Sequence, residues 1–176
     1  MSLSLYQQLL RDEYAKLSPI LREIHGQQPE LKASGVVQVE YGKGFLVRLL
    51  NRCFAMPREG KNVLTKLQII RTENKEIWTR EFNDQIFRTE QFIKNDLLIE
   101  QMGKIVLAFS LHEKKSGLEF RHEFSGIFSM KLPKIMSVAT TAFIAAENDG
   151  WRIHVETRAP IVGLLIQYYG TFMVEL

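Results

Sequence analysis

From Gly60 to the end of the chain the hydropathy pattern repeats every two residues, and no stretch in between is long enough for a crossover helix. That constrains the fold more than any other feature. The alternation predicts strands over 63–73, 76–82, 86–93, 96–101, 104–113, 117–129, 138–147, 151–159 and 162–174. Between them stand pairs of turn formers: Glu73-Asn74, Asn83-Asp84, Asn95-Asp96, Ser116-Gly117 and Asn148-Asp149-Gly150. Parallel strands need long crossover connections, so links this short require an antiparallel meander. A meander of so many strands curls toward a barrel.

Before Gly60 the period is helical. Leu5, Leu9, Leu10, Leu17, Ile20, Leu21 and Ile24 form one apolar stripe, interrupted where Pro19 removes a backbone donor. The spacing predicts helices over 4–16 and 19–25, with Gly26 as a C-cap. It also predicts a strand over 35–42 and a helix over 45–56 closed by Pro57. The expected class is therefore α+β. It consists of a strongly curved, barrel-like antiparallel sheet, of lipocalin-like or START-like character, with two or three N-terminal helices. No linker, repeat or low-complexity tract divides residues 1–176, so one domain is expected.

The segment EIWTREFNDQIFRTEQF, residues 76–92, reads as a hairpin. A two-residue turn at Asn83-Asp84 sets Phe82 against Gln85, Arg80 against Phe87 and Trp78 against Thr89. A three-residue turn would oppose Arg80 and Arg88, which is unfavourable. The first register places Arg80 on one face with Trp78, Phe82 and Phe87, pointing inward. An inward guanidinium needs a partner. Two readings stand open. In one, Arg80 stacks on Trp78 or Phe87 and pairs with Glu123, Glu156 or Glu100. In the other, its planar fork holds the anionic head of an apolar ligand.

Other chemistry is sparse. The formal net charge is +3 with the bases scattered, which argues against a nucleic-acid partner. Cys53 is the one cysteine; it permits no internal disulfide and reads as a buried apolar residue. With no cysteine–histidine ligand spacing, no metal and no cofactor are expected. The first residues lack signal-peptide character and no stretch has the length of a membrane span, so a cytoplasmic setting is expected. Among the histidines, His25 reads as a helix-end cap, His122 as inward-facing, and His112 and His154 as exposed. The glycines of YGKGF, residues 41–45, fit a tight turn and match no phosphate-binding fingerprint.

Several segments together carry a resemblance: LSPILREIHG (17–26), GVVQVEYG (35–42), MPREG (56–60), WTREF (78–82), LPKIM (132–136) and APIVGLLIQYYG (159–170). From Leu17 to Leu176 the chain resembles an uncharacterised bacterial domain-of-unknown-function family. The most specific pieces are Trp78-x-Arg80-x-Phe82, and Pro160-x-x-Gly163 with Tyr168-x-Gly170. Members of that family occur alone or C-terminal to saccharopine-dehydrogenase-like or epimerase-like NAD(P)-binding domains. The resemblance thus implies association with an NAD(P)-binding oxidoreductase, and a domain that binds or shapes rather than catalyses.

Three functions follow. The first is a binding module for a small apolar or amphipathic molecule, anionic if Arg80 is the anchor, with Trp78, Arg80, Phe82, Phe87, His122 and Tyr168 lining the cavity. The second is a small enzyme acting on a lipid-like or sugar-like metabolite, with His122 or a buried glutamate as acid and base. The third is a structural or interaction domain with a solid core. An interior cavity with Arg80 at its wall separates the first from the third.

Overall fold

The computed structural model describes residues 3–127, 130–133, 135 and 137–175. Its elements run α1 (Leu5–Leu10), a 3-10 turn (Arg11–Lys16), α2 (Pro19–Ile24), β1 (Glu30–Tyr41), α3 (Phe45–Cys53), β2 (Gly60–Arg71), β3 (Lys75–Phe82), β4 (Gln85–Lys94) and β5 (Leu97–Met102). They continue with β6 (Ile105–Lys114), β7 (Gly117–Ile127), β8 (Met130–Lys131), β9 (Ala139–Glu147), β10 (Gly150–Ala159) and β11 (Gly163–Val174). The strands lie in the order β6-β5-β4-β3-β2-β1-β11-β10-β9-β7, and β7 pairs again with β6, closing a ten-stranded antiparallel barrel. Closure removes the open edges on which an extended sheet would aggregate. The two-residue β8 was not expected; it is a short return beside the end of β7.

The predicted hairpin holds in register: Phe82 faces Gln85, Arg80 faces Phe87, and Trp78 faces Thr89. Asn83 supplies the positive φ of 53° that this turn demands. Gly170 has a different reason. A Cβ there would lie 2.1 Å from the Val36 carbonyl oxygen, so the absence of a side chain lets β1 and β11 approach closely.

One end of the barrel is plugged by the N-terminal helices. Ser4 caps α1 through a reciprocal capping box with Gln7 and donates its hydroxyl to the His25 carbonyl at 2.7 Å. Tyr6, Leu21 and Ile24 are buried inside that end with Trp78, Phe109 and Leu118. Arg71 holds the plug down: it donates to the carbonyls of Gln28 and Ile24 and pairs with Glu76 at 3.3 Å. Trp78 Nε1 also donates to Glu76, at 3.0 Å.

Two expectations need correction here. The helix expected over 4–16 ends at Leu10, where Arg11 takes a φ of 51° and the chain tightens into a 3-10 turn. The turn carries Glu13 to the backbone N–H of Glu113 on β6, a docking contact that local propensity does not encode. His25, rather than Gly26, is the C-cap residue of α2, but its ring does not serve the helix end: it is fully buried, tilted against Tyr6 and stacked on Trp78. Burial, with help from the nearby Arg71 charge, lowers its pKa to about 3. The expectation for Cys53 lies outside the described side chains.

Candidate functional site

The opposite end of the barrel is built differently. Strands β7 and β9 pair over only three positions, Leu118–Ile144 to Phe120–Ala142, all toward the plugged end. Beyond Phe120 they part, and Leu132 and Ser137 lie beside Ser125 at the end of β7: Leu132 N–H donates to the Ser125 carbonyl, and Ser125 and Ser137 share a hydroxyl contact of 2.7 Å. Over this end lies α3. Asn51 ties it to the Leu165 carbonyl at 2.9 Å, and Gln85 holds the following loop through the carbonyls of Ala55 and Met56. Tyr41 donates to the Pro57 carbonyl at 2.7 Å, completing the attachment.

Beneath this cover the interior is not filled. A cavity of about 280 Å³ runs from mid-barrel to the α3 end, close to the lower limit for small-molecule sites. Its walls are mostly apolar: Phe54, Met56 and Pro57 from the α3 loop, then Phe87, Met102, Ile105, Leu107, Val155 and Leu165 from the strands. A bulge between Thr157 and Arg158 of β10 shifts the register against β11, and Leu165 and Ile166 both reach the cavity. That corrects the plain alternation expected at this point in β11.

Polar groups on the wall include a threonine pair and a trio around Arg80. Thr140 and Thr157 share a hydroxyl contact of 3.0 Å. Arg80 donates to Thr89 Oγ1 at 3.0 Å and to Glu100 Oε1 at 3.2 Å, and Thr89 donates to the same carboxylate oxygen at 2.7 Å. The guanidinium also lies 5.1 Å from the centre of the Trp78 ring and 6.0 Å from that of Phe87. Burial opposes its charge, but Glu100 and, more weakly, the Tyr168 and Tyr6 hydroxyls hold its pKa above the ordinary arginine value. Burial likewise pushes the Tyr168 phenol up. Of the three carboxylates open to Arg80, Glu100 is the partner. Glu123 accepts from Ser110 and Glu156 pairs with Arg158 on the outer face.

Arg80, Phe87 and Tyr168 therefore line the cavity together. The other three expected wall residues do not. Trp78 belongs to the plugged end, one inward position too far along β3. Phe82 is buried and packs edge-on against Tyr168 with ring centres 5.8 Å apart. His122 shares a face with Phe109, beside the point where β7 leaves β9; burial lowers its pKa, and neither ring nitrogen has a hydrogen-bond partner among the described residues. Alternation had assigned all three to the inner face, and it holds no information about depth along the barrel axis. The same limit hid Leu107, Val155, Thr140 and Thr157.

The model of a family described as a domain of unknown function, DUF4166, matches residues 17–172. The chain belongs to DUF4166. No curated protein and no solved structure matches it. For this DUF4166 barrel the motif Trp78-x-Arg80-x-Phe82 now has a physical content. It is one strand's inner face, passing from the plug through the ion pair to the packing beneath Tyr168.

Proposed function

We propose that this domain holds a small apolar or amphipathic molecule in the barrel cavity. Its apolar part would lie among Leu107, Met102, Val155 and Phe87, and its polar end against Arg80, Thr89 and Glu100. The observation that carries the reading is an apolar interior space with one charged pair placed at its wall. Because Glu100 already neutralises Arg80, the site favours a neutral hydroxyl or carbonyl at the polar end as much as a carboxylate. A general acid–base role finds less support. His122 does not line the cavity, and the carboxylate that does, Glu100, is tied up by Arg80 and Thr89. In relatives joined to an NAD(P)-binding oxidoreductase, such a barrel would hold or shield the apolar molecule.

The test is saturable binding of an apolar fluorophore, N-phenyl-1-naphthylamine, to the wild type and to Leu107→Trp, whose indole would fill the cavity. The wild type is expected to bind and the variant to bind about tenfold or more weakly, a loss of at least about 1.4 kcal/mol. Displacement by a fatty alcohol and by the corresponding fatty acid then reads the preference at the polar end. Equal binding by wild type and Leu107→Trp would refute the cavity as the site.

A further inference from the structure

The two ends of the barrel differ in what they show to solvent. At the plugged end the hairpin turns are 72–74, 95–96, 115–116 and 148–149, and they contain Glu73, Asp96, Asp149 and Lys115 but no large apolar side chain. At the cavity end the chain makes five connections, and three of them carry exposed apolar side chains. Phe45 (81% exposed), Leu46 and Leu49 lie on α3; Met130 (71%) lies between β7 and β9, Ile161 (80%) between β10 and β11, and Ile86 beside the β3–β4 turn. Phe45, Leu46 and Leu49 share one face of α3, while Val47 and Asn51 on the other face are buried against the barrel. The helix thus turns an apolar stripe outward, the reverse of what packing alone requires.

Charge follows the same division. The segment 42–61 holds Lys43, Arg48, Arg52, Arg58 and Lys61 against one acid, Glu59, and Arg58 also pairs with Asp84 of the β3–β4 turn at 3.7 Å. Arg48 and Arg52 are exposed on α3 itself, flanking the apolar stripe. The outer wall of β2, β3 and β4 is mixed: Lys66, Glu81, Arg88 and Glu90 alternate outward together with exposed Leu64, Ile70 and Ile86. Aromatic and aliphatic tips among exposed bases, on a short amphipathic helix at the mouth of an apolar cavity, match the chemistry of an interfacial anchor on anionic lipid.

We propose that the cavity end docks on the surface of an anionic lipid bilayer. Phe45, Leu49 and Ile161 enter the headgroup region, and the bases of 42–61 sit over acidic headgroups. Docked this way, the cavity mouth faces the bilayer, and an apolar molecule passes between membrane and barrel without crossing bulk water. No helix among the described residues is long and apolar enough to span a membrane; the docking proposed is at the surface. The docking stands on the rim alone and does not depend on what the cavity holds.

Flotation with vesicles tests it. The wild type is expected to float with vesicles of phosphatidylcholine mixed with phosphatidylglycerol, to float far less with phosphatidylcholine alone, and to be released as salt rises. The double variant Phe45→Glu, Ile161→Glu alters two exposed side chains. It should keep the wild-type melting temperature and its binding of N-phenyl-1-naphthylamine while its vesicle partition falls at least about tenfold. Failure of the wild type to float with either vesicle would overturn the docking, as would a double variant that floats equally well. So would light scattering showing that the rim is covered by a second copy of the chain which the double variant releases. Fluorophore binding reports separately on the cavity, so the two readings can fail independently.

Discussion

His25 makes the clearest demand at the scale of single residues. It is fully buried between Tyr6 and Trp78, with no hydrogen-bond partner on either ring nitrogen among the described residues, and Arg71 nearby opposes any charge on it. Its folded pKa of about 3 lies below the ordinary histidine value of 6.5, so the unfolded chain takes the proton first on acidification. The stability it contributes is complete above about pH 6.5 and is lost as pH falls toward about 3, by up to about 1.4 kcal/mol per pH unit. Glu76 acts with the opposite sign, because burial raises its carboxyl despite Arg71 and Trp78. Urea unfolding of wild type and His25→Phe at pH 7, 5 and 4 separates the two: the variant should lose the steep part of the acid decline. A parallel decline in both proteins would show that His25 is not its source. Arg80 calls for a different measurement. Its side chain is 12% exposed and that of Glu100 18%, so Arg80→Leu alone strands a largely buried carboxylate and should cost about 3 kcal/mol. Arg80→Leu with Glu100→Leu should recover most of that loss in a double-mutant cycle; additive losses would mean that the pair is not coupled.

Individual strands and hairpins were the most legible elements. The strand ranges after Gly60 match the alternation to within about three residues at their ends, a normal uncertainty of boundaries. Turn chemistry fixed the register of β3 against β4 because only one turn length avoids facing Arg80 with Arg88. Strand β1 begins at Glu30, earlier than the glycine-bounded segment from Gly35, since pairing with β2 extends it. Strand β11 pairs with β1 on one side and β10 on the other along most of its length. Removing residues 162–176 therefore deletes a central barrel strand and exposes two new edges. The truncated chain should be insoluble on expression, and a soluble, cooperatively melting product would contradict the role assigned to β11. The α1 break at Arg11 had no local signal, because the contact that causes it is made with β6, a hundred residues away.

At the scale of the whole molecule, the ring is closed by two unlike seams: β6 with β7 over nearly their full length, and β7 with β9 over three pairs. The short seam lets the cavity end widen while the N-terminal helices fill the other end. Plugged and cavity ends follow from that asymmetry. The sequence by itself determined that the sheet is antiparallel and curled, which side chains of the β3–β4 hairpin face inward, and that Arg80 needs a partner there. These depend on neighbours along the chain, on turn length and on the period of two. Only the tertiary structure decided that the partner is Glu100, that Trp78 and His25 belong to a plug, and that Leu107 and Val155 line a cavity. Those outcomes depend on position along the barrel axis, and a side-chain period of two is the same at every height of a strand.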